Sequence, residues 1–166
     1  MPILVNGILY GDWPGNLVGH KHAGSQTLDL STLKTAAIGD VDALLDHSTG
    51  GDDIITGPSP NVIGDASTID DHAKGGNDTV TVSGFGSTVY GDARTMTDHG
   101  RGGDDTLTSH SRSAQVVGDA KEMDGHTRGT AVRHAACLRN SAHDEVASFG
   151  GGAGELGRPV FYAGAS

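Results

Sequence analysis

Aspartate recurs along this 166-residue chain at intervals that would gather carboxylates into rows. An apolar-Gly-Asp tripeptide stands at Tyr10-Gly11-Asp12, Ile38-Gly39-Asp40, Ile63-Gly64-Asp65, Tyr90-Gly91-Asp92 and Val117-Gly118-Asp119, in steps of 28, 25, 27 and 27 residues. Three of these are followed by a second motif, at Gly50-Gly51-Asp52-Asp53, Gly75-Gly76-Asn77-Asp78 and Gly102-Gly103-Asp104-Asp105. Between the two motifs lie Asp46-His47, Asp71-His72 and Asp98-His99, each placing a histidine seven residues after the Gly-Asp aspartate, and His126 keeps that offset from Asp119. Three markers in register over most of the chain define a repeat, and a repeat of this length predicts a solenoid.

Stacked coils of a parallel solenoid lie about 4.8 Å apart, so equivalent residues form ladders. The expected columns are Asp40, Asp65, Asp92 and Asp119; Asp46, Asp71 and Asp98; and Asp53, Asp78 and Asp105. Two carboxylates about 5 Å apart repel by roughly 3 kcal/mol at an effective dielectric near 20. Over several rungs that rivals the ~5–15 kcal/mol net stability of a domain. A hard cation with oxygen ligands relieves it. Calcium accepts six to eight oxygens at about 2.3–2.6 Å in adaptable geometry, whereas magnesium insists on a tighter octahedron. Binding and folding are then expected to be coupled. The competing structural reading gives the Asp-Gly pairs a role in turn geometry alone.

The elements that must hold these columns are short strands. Val80 to Val89 is nine residues, Val89 to Leu107 eighteen, and Leu107 to Val116 nine again. A nine-residue unit is a strand plus a tight glycine turn, so two units predict one flattened coil whose long turn has gained about nine residues. Leu28, Ile38, Ile55, Val62, Val80, Val82, Val89, Leu107 and Val116 are the expected inward positions. Met96 and Met123, with Ile69 and Leu45 at or near the same offset, are expected to pin the long turn as packing.

Composition agrees with a solenoid and narrows the function. There are 27 glycines, seven aromatic residues and 35% hydrophobic residues, too few large apolar side chains for a sandwich or helical core. A net charge of −10 argues against nucleic acid, whose binders carry a basic face. One cysteine, Cys137, excludes an internal disulfide and a thiolate zinc site. No stretch approaches a membrane-spanning length. The opening MPILVNGILYGDWPG lacks the basic and long apolar regions of a Sec signal peptide.

His47, His72, His99 and His126 predict a further ladder, and imidazole suits zinc, nickel or copper. Stacking on an exposed edge with Asp-His hydrogen bonds is the preferred reading. Charging this ladder below about pH 6 is expected to weaken neighbouring cation sites.

Lys74-Gly75-Gly76-Asn77-Asp78-Thr79-Val80-Thr81 and its counterparts at 102–108 and 50–56 resemble the hemolysin-type calcium-binding (RTX) repeat, Gly-Gly-x-Gly-x-Asp-x-apolar-x. The likeness covers roughly residues 8–129. It implies a parallel β-roll whose turns hold calcium through backbone carbonyls and the motif aspartate. The residues so implied are Gly51 and Asp53; Gly76, Asn77 and Asp78; and Gly103, Asp104 and Asp105. The short turns at 82–88 and 108–115 depart from the family in lacking the ligand aspartate, so the long-turn edge is expected to do the binding.

The expected architecture is an all-β, parallel β-roll or β-solenoid of glycine- and aspartate-rich repeats, about four to five coils, spanning residues 1–129. Residues 130–166 break the pattern, with Thr130-Ala131-Val132-Arg133-His134 standing where a further Gly-Asp/Asn-Asp motif was due. A solenoid cap, a type I secretion signal and off-frame translation remain open for that segment. No nucleophile elbow or phosphate loop is present, and an enzyme is not expected. The RTX resemblance implies a secreted calcium-binding module leaving by the type I route. The alternative is an adhesin-like or ice-binding solenoid presenting a flat face.

Overall fold

The computed structural model of the chain describes residues 1–84, 86–111 and 114–129, with the strands His134–Cys137, Glu145–Ser148 and Val160–Phe161 beyond them. The strands form a parallel β-solenoid with four complete coils and no helix among the described residues.

Each complete coil contributes three strands. The first sheet stacks Thr27–Asp29, Ile54–Pro58, Thr79–Ser83, Thr106–Ser109 and His134–Cys137. The second carries Ala36–Ile38, Asn61–Ile63, Thr88–Tyr90 and Gln115–Val117 at its centre. The third stacks Asn16–Val18, Val41–Leu45, Ala66–Ile69, Ala93–Met96 and Ala120–Met123. Pairing runs rung to rung in register, as in Leu28↔Ile55↔Val80↔Leu107. A column of single bridges through His22, Thr49, Lys74, Arg101 and Arg128 completes each coil before it returns to the first sheet.

The third sheet corrects the expectation of a flattened two-strand coil with a long turn. The stretch read as a turn contains a strand, a corner and the bridge column. Its inward residues explain why it was hidden: Ala93 and Met96 are both fully buried, with the two residues between them more exposed, so the period-2 alternation of a strand is absent. Met96 pairs with Ile69 on one side and Met123 on the other, and Leu44 rather than Leu45 continues the column.

Two apolar cores result. Leu28, Ile55, Val80 and Leu107 of the first sheet pack with Val62, Val89 and Val116 of the second. Leu17, Leu44, Ile69 and Met96 of the third sheet pack with Ala73, beside the bridge column. Because neighbouring strand residues point to opposite faces, the residue after each inward position of the second sheet builds a third buried column of Tyr10, Ile38, Ile63, Tyr90 and Val117. Ile38 is thus buried as expected, but in this column and not in the first core.

The chain crosses twice between the two lobes. The Gly-Asp corner joins the second sheet to the third, and the Gly-Gly corner returns the bridge column to the first sheet. These corners face one another, since the Gly51 N–H donates to an Asp40 carboxyl oxygen at 2.8 Å. The coil therefore has a waist, and the regular spacing of the motifs along the sequence puts aspartate on both sides of it in rung after rung.

At one end an antiparallel strand, Ile3–Val5, pairs with Ile8–Tyr10. At the other, His134–Cys137 and Glu145–Ser148 extend the first and second sheets in parallel, and Val160–Phe161 adds an antiparallel strand. The rest of 130–166, on which the three readings of that segment turn, lies outside the described residues.

Candidate metal centre

Backbone ladders fix the spacing of the waist. Asp12, Asp40, Asp65 and Asp92 each donate their N–H to the carbonyl of the next aspartate in the column, at 3.2, 3.0, 3.1 and 3.2 Å. Asp40, Asp65, Asp92 and Asp119 are all at most 1% exposed. The facing column of Asp53, Asp78 and Asp105 is buried to the same degree.

Six of these carboxyls are held by one oxygen. Glycine N–H groups within the same rung bind the first column, Gly51 to Asp40, Gly76 to Asp65 and Gly103 to Asp92. The second column accepts from the preceding rung: Asp53 from the Gln26 N–H (2.7 Å), Asp78 from Asp53 (2.7 Å) and Asp105 from Asp78 (2.9 Å). The other oxygen of Asp40, Asp53, Asp65, Asp78, Asp92 and Asp105 is buried without a hydrogen-bond partner. A buried carboxylate oxygen left in that state carries a desolvation cost of about 1–3 kcal/mol or more.

Where those oxygens point is shown by the glycines. A Cβ on Gly39 would overlap both the Gly64 carbonyl oxygen and Asp53 Oδ2. At Gly64 the same space holds the Gly91 carbonyl and Asp78 Oδ2, and at Gly91 the Gly118 carbonyl and Asp105 Oδ2. A Cβ on Gly75 would meet Asp92 Oδ1 and Asp65 Oδ2 together. Carboxylate and carbonyl oxygens thus converge along one corridor, and glycine is required because no side chain fits there.

Burial and the mutual repulsion of the aspartates set the electrostatics of the waist. Burial, followed by the Asp53 charge, raises the Asp40 carboxyl to about 8. Burial raises Asp53 to about 7 and Asp105 to about 8. Asp65, Asp78 and Asp92 are pushed well above the usual carboxylate range by burial first and neighbouring aspartates second.

Among the described residues no group of three or more His, Cys, Asp or Glu side chains is arranged to hold a metal ion by itself. A cation at the waist would be held by carboxyl oxygens of the two columns together with turn carbonyls. That oxygen-only donor set fits a hard ion and offers nothing to a thiophilic one.

The remaining sequence candidates lie elsewhere. Asp46, Asp71 and Asp98 occupy the corner after the third sheet with φ of 62°, 50° and 50°, and glycines 19 and 125 hold the equivalent place with φ of 78° and 72°. Left-handed backbone there favours Asp or Gly. Asp46 and Asp71 instead hydrogen-bond His47 and His72 Nδ1, at 2.8 and 3.2 Å. Asp71→Gly is therefore expected to leave calcium stoichiometry unchanged and to alter stability by no more than about 0.5 kcal/mol; ion counting and urea denaturation check both.

Asn77 and Asp104 turn to the outer side of the Gly-Gly corner. Asp52 accepts from the Asn77 N–H at 2.7 Å, and Asn77 in turn accepts from the Asp104 N–H at 2.8 Å. The short-turn edge is closed by serine, with Ser87 Oγ bonded to Ser59 O (2.8 Å) and Ser111 Oγ (2.7 Å).

The histidine ladder extends one rung further than the repeat suggested. His20, His47, His72, His99 and His126 follow one another with ring centroids 4.9, 5.1, 4.3 and 5.1 Å apart, the last three contacts within 9° of parallel.

The sequence reading expected turn carbonyls without naming which, and it did not single out the Asp12–Gln26 pair of the first rung. The recurrence of Tyr10-Gly11-Asp12 was the available signal for that pair.

Comparison of the chain with family models, curated proteins and solved structures finds no match to any of them. Among the described residues no helix is long and apolar enough to cross a membrane.

Proposed function

We propose that this chain is a calcium-binding repeat module of RTX type, secreted, in which ions in the waist assemble the solenoid. The observation that carries this reading is the double column of buried aspartates, six of which hold a carboxyl oxygen with no hydrogen-bond partner. Protein interiors do not keep rows of such groups without compensation. Calcium between rungs would take those oxygens with the glycine carbonyls beside them, and the two lobes would then close their apolar cores. Low cytosolic calcium would keep the chain unfolded until it meets calcium outside the cell, in keeping with the RTX resemblance.

The test is far-UV circular dichroism of the chelator-treated chain titrated with calcium. A transition to a β spectrum at sub-millimolar to millimolar calcium, not reproduced by magnesium, is the expected result. A β spectrum indifferent to chelator would put a second reading first. That reading rests on the outer face of the first sheet, where Thr27, Ile54, Thr79 and Thr106 form one column and Asp29, Thr56, Thr81 and Thr108 the next. Such a flat, repeating face suits an extended or periodic ligand, ice included.

A further inference from the structure

The first rung differs from the others in one residue. The register Thr27↔Ile54↔Thr79↔Thr106 aligns Gln26 with Asp53, Asp78 and Asp105. We infer that Gln26 closes the cation row, its side-chain amide standing in the first rung where a carboxylate and its ion stand in the later ones. The inference rests on the calcium reading of the waist and sets where the ions begin.

Hydrogen bonding distinguishes this rung. Gln26 Nε2 donates to Asp12 Oδ1 at 2.6 Å, and the Gly24 N–H donates to Asp12 Oδ2 at 2.7 Å. Both oxygens of Asp12 are thereby bonded. The equivalent carboxyls Asp40, Asp65 and Asp92 have the matching glycine bond to one oxygen and no amide donor on the other. The missing partner in those rungs is the one that the Gln26 amide nitrogen supplies in the first.

The amide oxygen completes the substitution. Gln26 Oε1 lies 2.8 Å from the place a Gly11 Cβ would take, beside the Gly39 carbonyl oxygen. Asp53 Oδ2 holds the same relation to Gly39 and the Gly64 carbonyl one rung on. An amide has donors and an acceptor on one planar group and carries no charge. It can bond the carboxylate with its nitrogen and face the carbonyl with an oxygen that carries no net charge, so it repels its surroundings less than a carboxylate would. What sets this rung apart is the charge it lacks and the bonded Asp12 carboxylate, since Gln26 Oε1, like Asp53 Oδ2, has no hydrogen-bond partner.

In the first rung the Asp12 carboxylate is therefore fully bonded and no second carboxylate faces it, while Gln26 Oε1 is buried without a hydrogen-bond partner. The rung presents a formed edge to the second rung, through Gly11 N–H to Ile38 O at 3.0 Å and Asp12 N–H to Asp40 O at 3.2 Å. The ion row begins at Asp40 and Asp53.

Counting bound calcium by native mass spectrometry tests this on the full-length chain and three variants. Asp12→Asn is expected to keep the wild-type number of ions. Asp40→Asn is expected to lose one. Gln26→Asp, which restores the aspartate of the later rungs, is expected to gain one. Loss of an ion in Asp12→Asn would overturn the inference, as would a folded Gln26→Asp chain with the wild-type count. Should Gln26→Asp fail to fold in calcium, the Asp12→Asn count decides alone. A wild-type chain that takes up no calcium would refute the reading of the waist itself, a result distinct from either.

Discussion

Stripped of divalent ions at about pH 7.5, the chain is expected to be unfolded, and acidification to about pH 5 is expected to restore β structure with no metal added. The sign follows from the direction of the carboxyl shifts. Asp40 and Asp105 are raised to about 8 and Asp53 to about 7, and Asp65, Asp78 and Asp92 are raised well above the usual 3.8. A group whose folded value is raised binds more protons folded than unfolded. Its contribution is fully present below the unfolded value and is lost as pH climbs through the folded one. For the metal-free chain, stability is thus lost between about pH 4 and pH 8.

The size of the effect decides the outcome. At about 1.4 kcal/mol per unit, a carboxyl raised by three or four units contributes on the order of 4–6 kcal/mol. These carboxyls interact, so their contributions do not simply add, but together they rival the ~5–15 kcal/mol net stability of a domain. In calcium the dependence reverses, since acid protonates the ligands and the calcium midpoint should move to higher concentration as pH falls. Circular dichroism across pH in chelator and in calcium reads both. A metal-free chain folded at neutral pH, or still unfolded at pH 5, would show that carboxylate repulsion is not what keeps it open.

The second large effect is steric. Gly64→Ala is expected to abolish the fold even in saturating calcium, because the added Cβ would overlap the Gly91 carbonyl and Asp78 Oδ2. Neither can retreat. The Gly64 N–H is bonded to Tyr90 O at 3.0 Å, so moving the carbonyl separates two coils of the ladder. The loss belongs with the exceptional substitutions, at about 4–5 kcal/mol or more. The same methyl would fill the corridor that a cation needs. Gly86→Ala is the control: nothing lies within 4 Å of its Cβ, and only its φ of 67° is penalised, by about 1–2 kcal/mol. Calcium-dependent ellipticity should be absent in the first variant and nearly native in the second. Equal behaviour of the two would mean that the glycine column serves backbone conformation and not close approach.

The sequence by itself determined the solenoid and its rungs. Markers spaced 25 to 28 residues apart admit little but stacked coils, and the columns Asp40–Asp65–Asp92–Asp119 and Asp53–Asp78–Asp105 follow from stacking alone. The alternating Thr-Val-Thr pattern around Val80 and Leu107 likewise gave the first sheet and its inward face. The third sheet was not legible, because Ala93 and Met96 face inward three residues apart and small alanines carry little hydrophobic signal.

Only the tertiary structure decided which columns share a site. Spacing along the chain says that equivalent residues stack, but not how one coil folds across itself. It is the crossing of two corners at the waist that sets Asp40 against Gly51 and buries both aspartate columns, while the equally regular Asp46, Asp71 and Asp98 are sent to an exposed corner for their left-handed backbone. The place of Gln26 belongs to the same class of fact. A glutamine at an aspartate position reads in the sequence as a lapse of the repeat, and only its bond across the waist to Asp12 shows the charge it leaves out and the partner it supplies.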